Sequence, residues 1–322
     1  MTLVPFVKAD EIGNKFLALL SRLEIKPPSR SAVEHELLSL TDLIDIMQDP
    51  RGVTGADQVE VLRQAAGFHD FAAKILSAEG LPEFGAFEPH LRLLGGKAQG
   101  FSTLIQNSKA MRPNDANRKL TELYVASLAI HLAREIALDS PEAAKGDNPD
   151  ILFRYCGDPE ERRWWALALK SVSGGSGQTY FERIKEAAAQ IDADACPADI
   201  GMVVLNVKDT LDHTVLWETT FPTLDAAVKA LHAQIHDRIQ RAESDRPKQE
   251  WDALFSGKVV RPSRFMAHTL VRVESPLSQE LPTAIKALVA YCGNGEPHPL
   301  GHEIAVGLNH MMQVLLEGTP GG

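Results

Sequence analysis

The sequence predicts a mixed α/β chain with a helical unit at its N-terminus. Through the first hundred positions, apolar residues recur at helical spacing. After Asn148 the pattern changes to alternation, in two short runs separated by a turn. A helix and a further β-like run follow. The order helix, strand, strand, helix, strand describes a hairpin that feeds a helical crossover.

In the N-terminal part, Leu17, Leu20 and Leu23 mark one helical face, and Leu37, Leu38, Leu40, Leu43 and Ile44 mark another. Val59, Val61, Leu62, Phe68, Phe71 and Ile75 predict a third helix over Asp57–Ala78. Asp49-Pro50-Arg51-Gly52 and Gly80-Leu81-Pro82 supply the breaks. The expected domains are a helical unit over 1–94 and an α/β domain with C-terminal helices over 95–322.

Within the second domain, Arg112-Pro113-Asn114-Asp115 offers turn and capping chemistry before a long helix, expected over Asn117–Ile136. A polar loop, Asp139–Asn148, leads to a strand over Asp150–Tyr155. The turn Gly157-Asp158-Pro159 connects it to a second strand, Trp164–Val172. Phe181, Ile184, Ala188 and Ile191 share the inner face of a helix over Gln178–Ile191, and Gly201–Asn206 is the third strand. Beyond it, a helix is expected over Leu224–Ala242 and a strand over Ala267–Val273. Two helices, Pro282–Tyr291 and Pro299–Leu316, close the chain.

Composition bounds the function. The 322 residues are ample for a hydrophobic core, and 44% apolar with 24% charged residues is ordinary for a globular chain. The net charge of −10 speaks against a general nucleic-acid coat, because phosphate affinity needs Lys and Arg; a nuclease with locally clustered basic residues remains compatible. Cys156, Cys196 and Cys292 form no CxxC pair, so no local zinc or redox motif is read, and so low a count fits a reducing compartment. Lys8, Asp10 and Glu11 interrupt the N-terminus before any long apolar run, and no stretch reaches the length of a membrane span. A cytoplasmic location without membrane attachment is therefore expected.

Hydrolysing a phosphodiester with a divalent cation needs carboxylates and a lysine that converge from separate elements. Period-two geometry puts Asp150, Leu152 and Arg154 on one strand face, and Ala166, Ala168 and Lys170 together on the next strand. Glu122 is a lone carboxylate in the apolar helix run Leu120–Leu132.

This pattern resembles the PD-(D/E)XK nuclease superfamily. The family carries Glu on a helix, Pro-Asp on a strand, acid-x-Lys on the next strand, then a helix and another strand. The matching residues here are Glu122, Pro149-Asp150 and Ala168-Leu169-Lys170, within about Asn117–Asp209. The run from Lys170 through Asp209 also looks like uncharacterised bacterial proteins bearing this domain. The resemblance implies a restriction-endonuclease-like mixed sheet flanked by helices, with Mg²⁺ (or Mn²⁺) as the ion and DNA as the partner. Ala168 departs from the pattern, since the family has an acid there. Some members carry that acid on the following helix, which points to Glu182, with Glu186 as second choice. The implied roles are Asp150, Glu182 and Glu122 as metal ligands and Lys170 as the group that orients water or stabilises phosphorane charge.

Each residue also has a structural reading. Glu122 fits an i,i+4 pair with Arg118, Asp150 fits turn chemistry after Pro149, Lys170 fits an edge gatekeeper, and Glu182 fits a solvated helix position. Gln190 reads as structural. The loop Ser173–Thr179 suggests a helix N-terminus open to phosphate, yet it lacks the Lys of a P-loop. His232 and His236 stand i,i+4 without the Glu of HExxH, and His302, Glu303 and His310 have the wrong spacing. Arg162 and Arg163 fit either a phosphate-contacting edge or a solvated turn.

The expected function is that of a Mg²⁺-dependent deoxyribonuclease, with restriction or defence against foreign DNA as the family context. The alternative is a catalytically eroded nuclease-fold module that binds DNA or protein. A small-molecule hydrolase on an unrelated α/β sheet is a third class. The helical unit is expected to recruit a partner, form a homodimer or read DNA shape.

Overall fold

The computed structural model describes residues 6–48, 55–104, 114–142, 148–275, 280–293 and 295–314. The chain divides into two compact units, Met1–Ser127 with Gln313–Gly322, and Leu128–Met312. The helical unit therefore runs on to Ser127, beyond the boundary expected near residue 94. The expected break at Asp49–Gly52 lies outside the described residues.

In the first unit the main helices are α1 (Phe6–Arg22), α2 (Ala32–Gln48), α3 (Gly55–Ala78) and most of α5 (Asp115–Ala129), with a single turn α4 (Glu88–Leu91) between the last two. Phe16, Phe68, Phe71 and Phe101 form its aromatic centre, with ring centroids 5.2 to 6.3 Å apart. Edge-to-face pairs of this kind add to the area term. Two of its buried acids are matched. Glu36 accepts from the backbone of Phe101 and Ser102, and Asp70 accepts from the Tyr124 hydroxyl at 2.8 Å. Asn114 caps α5 by accepting from Ala116 and Asn117, the chemistry read from the sequence; Arg112 and Pro113 fall outside the described residues.

The second unit is mixed α/β around a seven-stranded sheet. Its strands are β1 (Ala133–Leu138), β2 (Ile151–Tyr155), β3 (Trp165–Ser171), β4 (Ile200–Asn206), β5 (Thr220–Phe221), β6 (Ser263–Glu274) and β7 (Glu280–Tyr291). β1, β2 and β3 are successive antiparallel neighbours, and β3 pairs parallel with β4 through the crossover helix α6 (Gly177–Asp192). β7 covers the full length of β6, so β4 and β5 share the opposite edge of β6, at Arg264–Met266 and Arg272–Val273.

One sheet face packs on α6 and α8 (Leu224–Ser244). Ala166, Ala168, Val203, Leu205, Phe265 and Ala267 meet Tyr180, Phe181, Ile184, Ala188, Leu231 and Ile235 in one buried cluster. The small residues Ala166 and Ala168 let the aromatic side of α6 approach β3 closely. The other face holds Trp165, whose ring lies 5.7 Å from that of His298. α10 (Pro299–Gln313) follows and buries Ile304, Ala305, Leu308 and Met312. The short helices α7 (His213–Glu218) and α9 (Lys248–Ala253) flank α8 in sequence.

Two elements differ from expectation. The helix expected over Asn117–Ile136 ends at Ala129, and Ala133–Leu138 is an edge strand. Ala, Leu, Arg and Glu favour helix locally, but β2 supplies a hydrogen-bonding partner with Leu138 opposite Ile151, and only Ile136 of β1 is buried. The helix expected over Pro282–Tyr291 is likewise a strand, paired with β6 from Ser263↔Tyr291 to Glu274↔Glu280. Pro282 is tolerated there because, among the described residues, β7 pairs with β6 alone.

The first residue of α6 shows how tightly the layers are set. A Cβ on Gly177 would stand 2.4 Å from the Arg241 carbonyl oxygen and 2.3 Å from Asp245 Oδ2. Gly177→Ala is therefore expected to destabilise the protein by about 1–3 kcal/mol, the usual cost of overpacking. Urea unfolding of wild type and variant measures this, and equal midpoints would show that α8 can give way.

Candidate functional site

Asp150 and Lys170 are held by the hairpin β2–β3. The register pairs Ile151 with Leu167 and Leu152 with Ala166, which sets Asp150 opposite Ala168, two residues from Lys170 on the same strand face. Asp150 is 6% exposed, and its Oδ2 accepts the Leu169 backbone N–H at 2.6 Å. The carboxylate thus serves the β3 amide just beyond the last β2–β3 pair. Such charge-assisted bonds are short and fix the acid's position.

Lys170 is half-buried near the end of β3, with Leu205 of β4 beside it. Its Nζ donates to Gln190 Oε1 at 2.5 Å. Gln190 sits in the last turn of α6 and is buried. A neutral amide oxygen orients an ammonium without cancelling its charge. Sequence reading took Gln190 as structural; only folding α6 back across β3 reveals this contact.

Glu182 is less enclosed. Its carboxylate lies 3.7 Å from Arg246, and its side chain is 44% exposed. The Arg246 guanidinium also covers the Phe181 ring at 5.2 Å. Glu186 pairs with Arg183 at 2.6 Å on the surface of α6.

Glu122 belongs to the first unit, on α5. Its Oε2 is 2.8 Å from Lys119 Nζ and 3.9 Å from His90 Nε2. Burial, and secondarily the Lys119 charge, lowers the His90 pKa to about 4. His90 is therefore neutral near pH 7, and Lys119 is the ion-pair partner that the structure displays for Glu122. The Arg118 side chain turns to Asp115 instead.

Two further candidates have structural partners. The N-terminus of α6, read as open to phosphate, is capped by Ser176 and takes the Asp245 carboxylate on the Gln178 N–H at 3.1 Å. The protein's own acid thus stands where an anion would bind. Arg163 is tied into its turn by Glu160 and lies 3.7 Å from Asp158, which also accepts from Trp165 Nε1 at 2.8 Å.

Among the described residues, no group of three or more His, Cys, Asp and Glu side chains is arranged to hold a metal ion. None of the described helices is long and apolar enough to cross a membrane. Mg²⁺ commonly takes only one or two protein carboxylates, with water and phosphate oxygens completing its shell. Asp150 is one buried carboxylate held by the Leu169 N–H, a single acid and not an all-protein cage. Comparison with family models, curated proteins and solved structures returns no match. What this site can do is thus decided by its own geometry.

Proposed function

We propose that the second unit is a divalent-metal-dependent nuclease domain of the PD-(D/E)XK kind, acting on DNA. The observation that carries this reading is the β2–β3 register, which sets Asp150 and Lys170 on one sheet face, with the acid bonded to the β3 backbone and the ammonium bonded to Gln190. In this reading Asp150 holds Mg²⁺ or Mn²⁺, which when bound acidifies water and offsets phosphate charge. Lys170 stabilises the charge that builds on the scissile phosphate, and Gln190 keeps its side chain from swinging away. Specificity for DNA follows the resemblance and not a base-reading surface.

A second reading is an eroded nuclease fold that binds DNA or protein without cutting. It is favoured by Ala168, which is fully buried where the family has its acid. The two readings part in a cleavage assay on single- and double-stranded DNA with Mg²⁺ or Mn²⁺. Cleavage by the wild type and its loss in Lys170→Met are expected. No cleavage with either ion would hand the lead to the eroded module. Glu182→Ala is expected to keep cleaving, because that carboxylate faces Arg246; loss of cleavage in a folded Glu182→Ala protein would place Glu182 at the ion. Glu122→Gln tests the acid of the first unit in the same way.

A further inference from the structure

Arg264 lies inside β6 without a counter-ion. It is 3% exposed, and its neighbours across the two ladders are Val204 of β4 and Ala290 of β7, both apolar. Among the described residues no acid pairs with it, and its Nε and Nη2 have no hydrogen-bond partner. Those two nitrogens form one edge of the guanidinium, the fork that takes a two-oxygen anion through two parallel bonds. Burial lowers the Arg264 pKa to about 10, with Cys292 opposing the fall, so the group is charged at pH 7. A buried charge left unpaired is costly.

Cys292 is placed to supply the anion. Ser263 pairs with Tyr291 and Arg264 with Ala290, so Cys292, two residues beyond Ala290, falls on the Arg264 side of the ladder. Such diagonal neighbours are within reach of a long side chain. Each also lies within the other's electrostatic reach. The thiol is half-buried, so a small reagent can meet it. A second guanidinium lies close by. The Gly295 N–H donates to the Cys292 carbonyl at 3.2 Å, and a Cβ on Gly295 would stand 2.5 Å from Arg261 Cζ, so Arg261 lies over this turn. Arg261 Nη2 is bonded to Asp252 at 2.7 Å, and its Nε has no partner.

We propose that Cys292 is an oxidation site whose sulfinate form is the counter-ion of Arg264. This stands apart from the nuclease reading. The oxidant is a peroxide. The Cys292 thiolate sulfur attacks one oxygen of hydrogen peroxide, the O–O bond breaks, and the departing hydroxide takes a proton to become water. Sulfur loses the two electrons that the peroxide gains, which gives the sulfenic acid. A second peroxide repeats the exchange and gives the sulfinic acid, which releases its proton at neutral pH. Its two oxygens and its charge match the Arg264 fork, whereas a thiol has neither. Burial pushes the Cys292 thiol up, Arg264 and Arg261 pull it down, and Glu296 adds to the rise. The thiolate is therefore scarce and the oxidation slow. Arg264 acts on the product and holds it once formed.

The test is peroxide treatment of the full chain, followed by peptide mapping and thermal melts. A Cys156→Ser parent removes the exposed thiol from the experiment. Cys292 of this parent should gain two oxygens, and the oxidised protein should melt at least about 3 °C above the untreated one. In Arg264→Met the same oxidation should bring no rise. If Arg264→Met does not fold, Cys292→Asp against Cys292→Asn carries the test with Arg264 intact. The aspartate is a two-oxygen anion, and it should melt at least about 3 °C above the asparagine. Failure to find the two-oxygen product at Cys292 overturns the modification. An equal rise in the parent and Arg264→Met, or equal melting of Cys292→Asp and Cys292→Asn, overturns the counter-ion role. If inorganic phosphate stabilises the untreated parent and Cys292→Ser alike but not Arg264→Met, the partner of Arg264 is a free anion and the proposal falls.

Discussion

Asp150→Asn is expected to abolish metal-dependent cleavage while costing only about 1 kcal/mol of stability. Asn keeps the shape of Asp and retains an oxygen that can accept the Leu169 N–H, so the amide bonded at 2.6 Å stays satisfied. What is lost is the charge. A bond to a charged acceptor contributes about 1.5–3 kcal/mol against about 0.5–1.5 for a neutral one, which sets the small stability cost. Asp150→Ala should differ in stability and not in activity. It leaves the amide of a buried residue, Leu169, without its acceptor, at about 1–3 kcal/mol. Cleavage assays and urea unfolding of both variants separate the two roles. Wild-type cleavage in Asp150→Asn would remove Asp150 from the chemistry and leave it the backbone role alone.

Ala168→Glu should behave in the opposite sense, harming the metal-free protein most. Ala168 is fully buried between β3 and α6, among Ala166, Tyr180 and Ile184. A longer side chain there overpacks the layer by about 1–3 kcal/mol, and an unpaired carboxylate adds a desolvation cost. A total loss of at least about 3 kcal/mol is expected in EDTA. Metal should recover much of it, because the new carboxylate stands opposite Asp150; a ligand at a hundred times its Kd contributes about 2.7 kcal/mol. Thermal melts with and without Mn²⁺ measure this difference. If Mn²⁺ stabilises Ala168→Glu no more than wild type, then position 168 does not face the cation site, and the family correspondence of this strand is wrong.

The hairpin was legible because its signals are local. Alternation in Asp150–Tyr155 and Trp165–Lys170, with Gly157-Asp158-Pro159 between them, carries both strand identity and side-chain face, and the register then sets Asp150 against Ala168. The inner face of α6 was legible for the same reason, since Phe181, Ile184, Ala188 and Ile191 are all buried. Gln190 was not, because its value lies in a bond to Lys170 twenty positions away.

By itself, then, the sequence determined the mixed α/β class, the helical N-terminal unit and the hairpin that brings Asp150 and Lys170 to one face. Those features follow from periodicity and turn chemistry, which depend on neighbours within a few residues. Only the tertiary structure decided that Ala133–Leu138 and Pro282–Tyr291 are strands. Their Ala- and Leu-rich strings favour helix locally, and the outcome falls to the state that finds backbone partners and a buried face. The tertiary structure alone also decided that Glu182 lies beside Arg246 and that Lys170 meets Gln190. Such contacts are set by the packing of chain segments that the sequence keeps apart, and no local spacing encodes them.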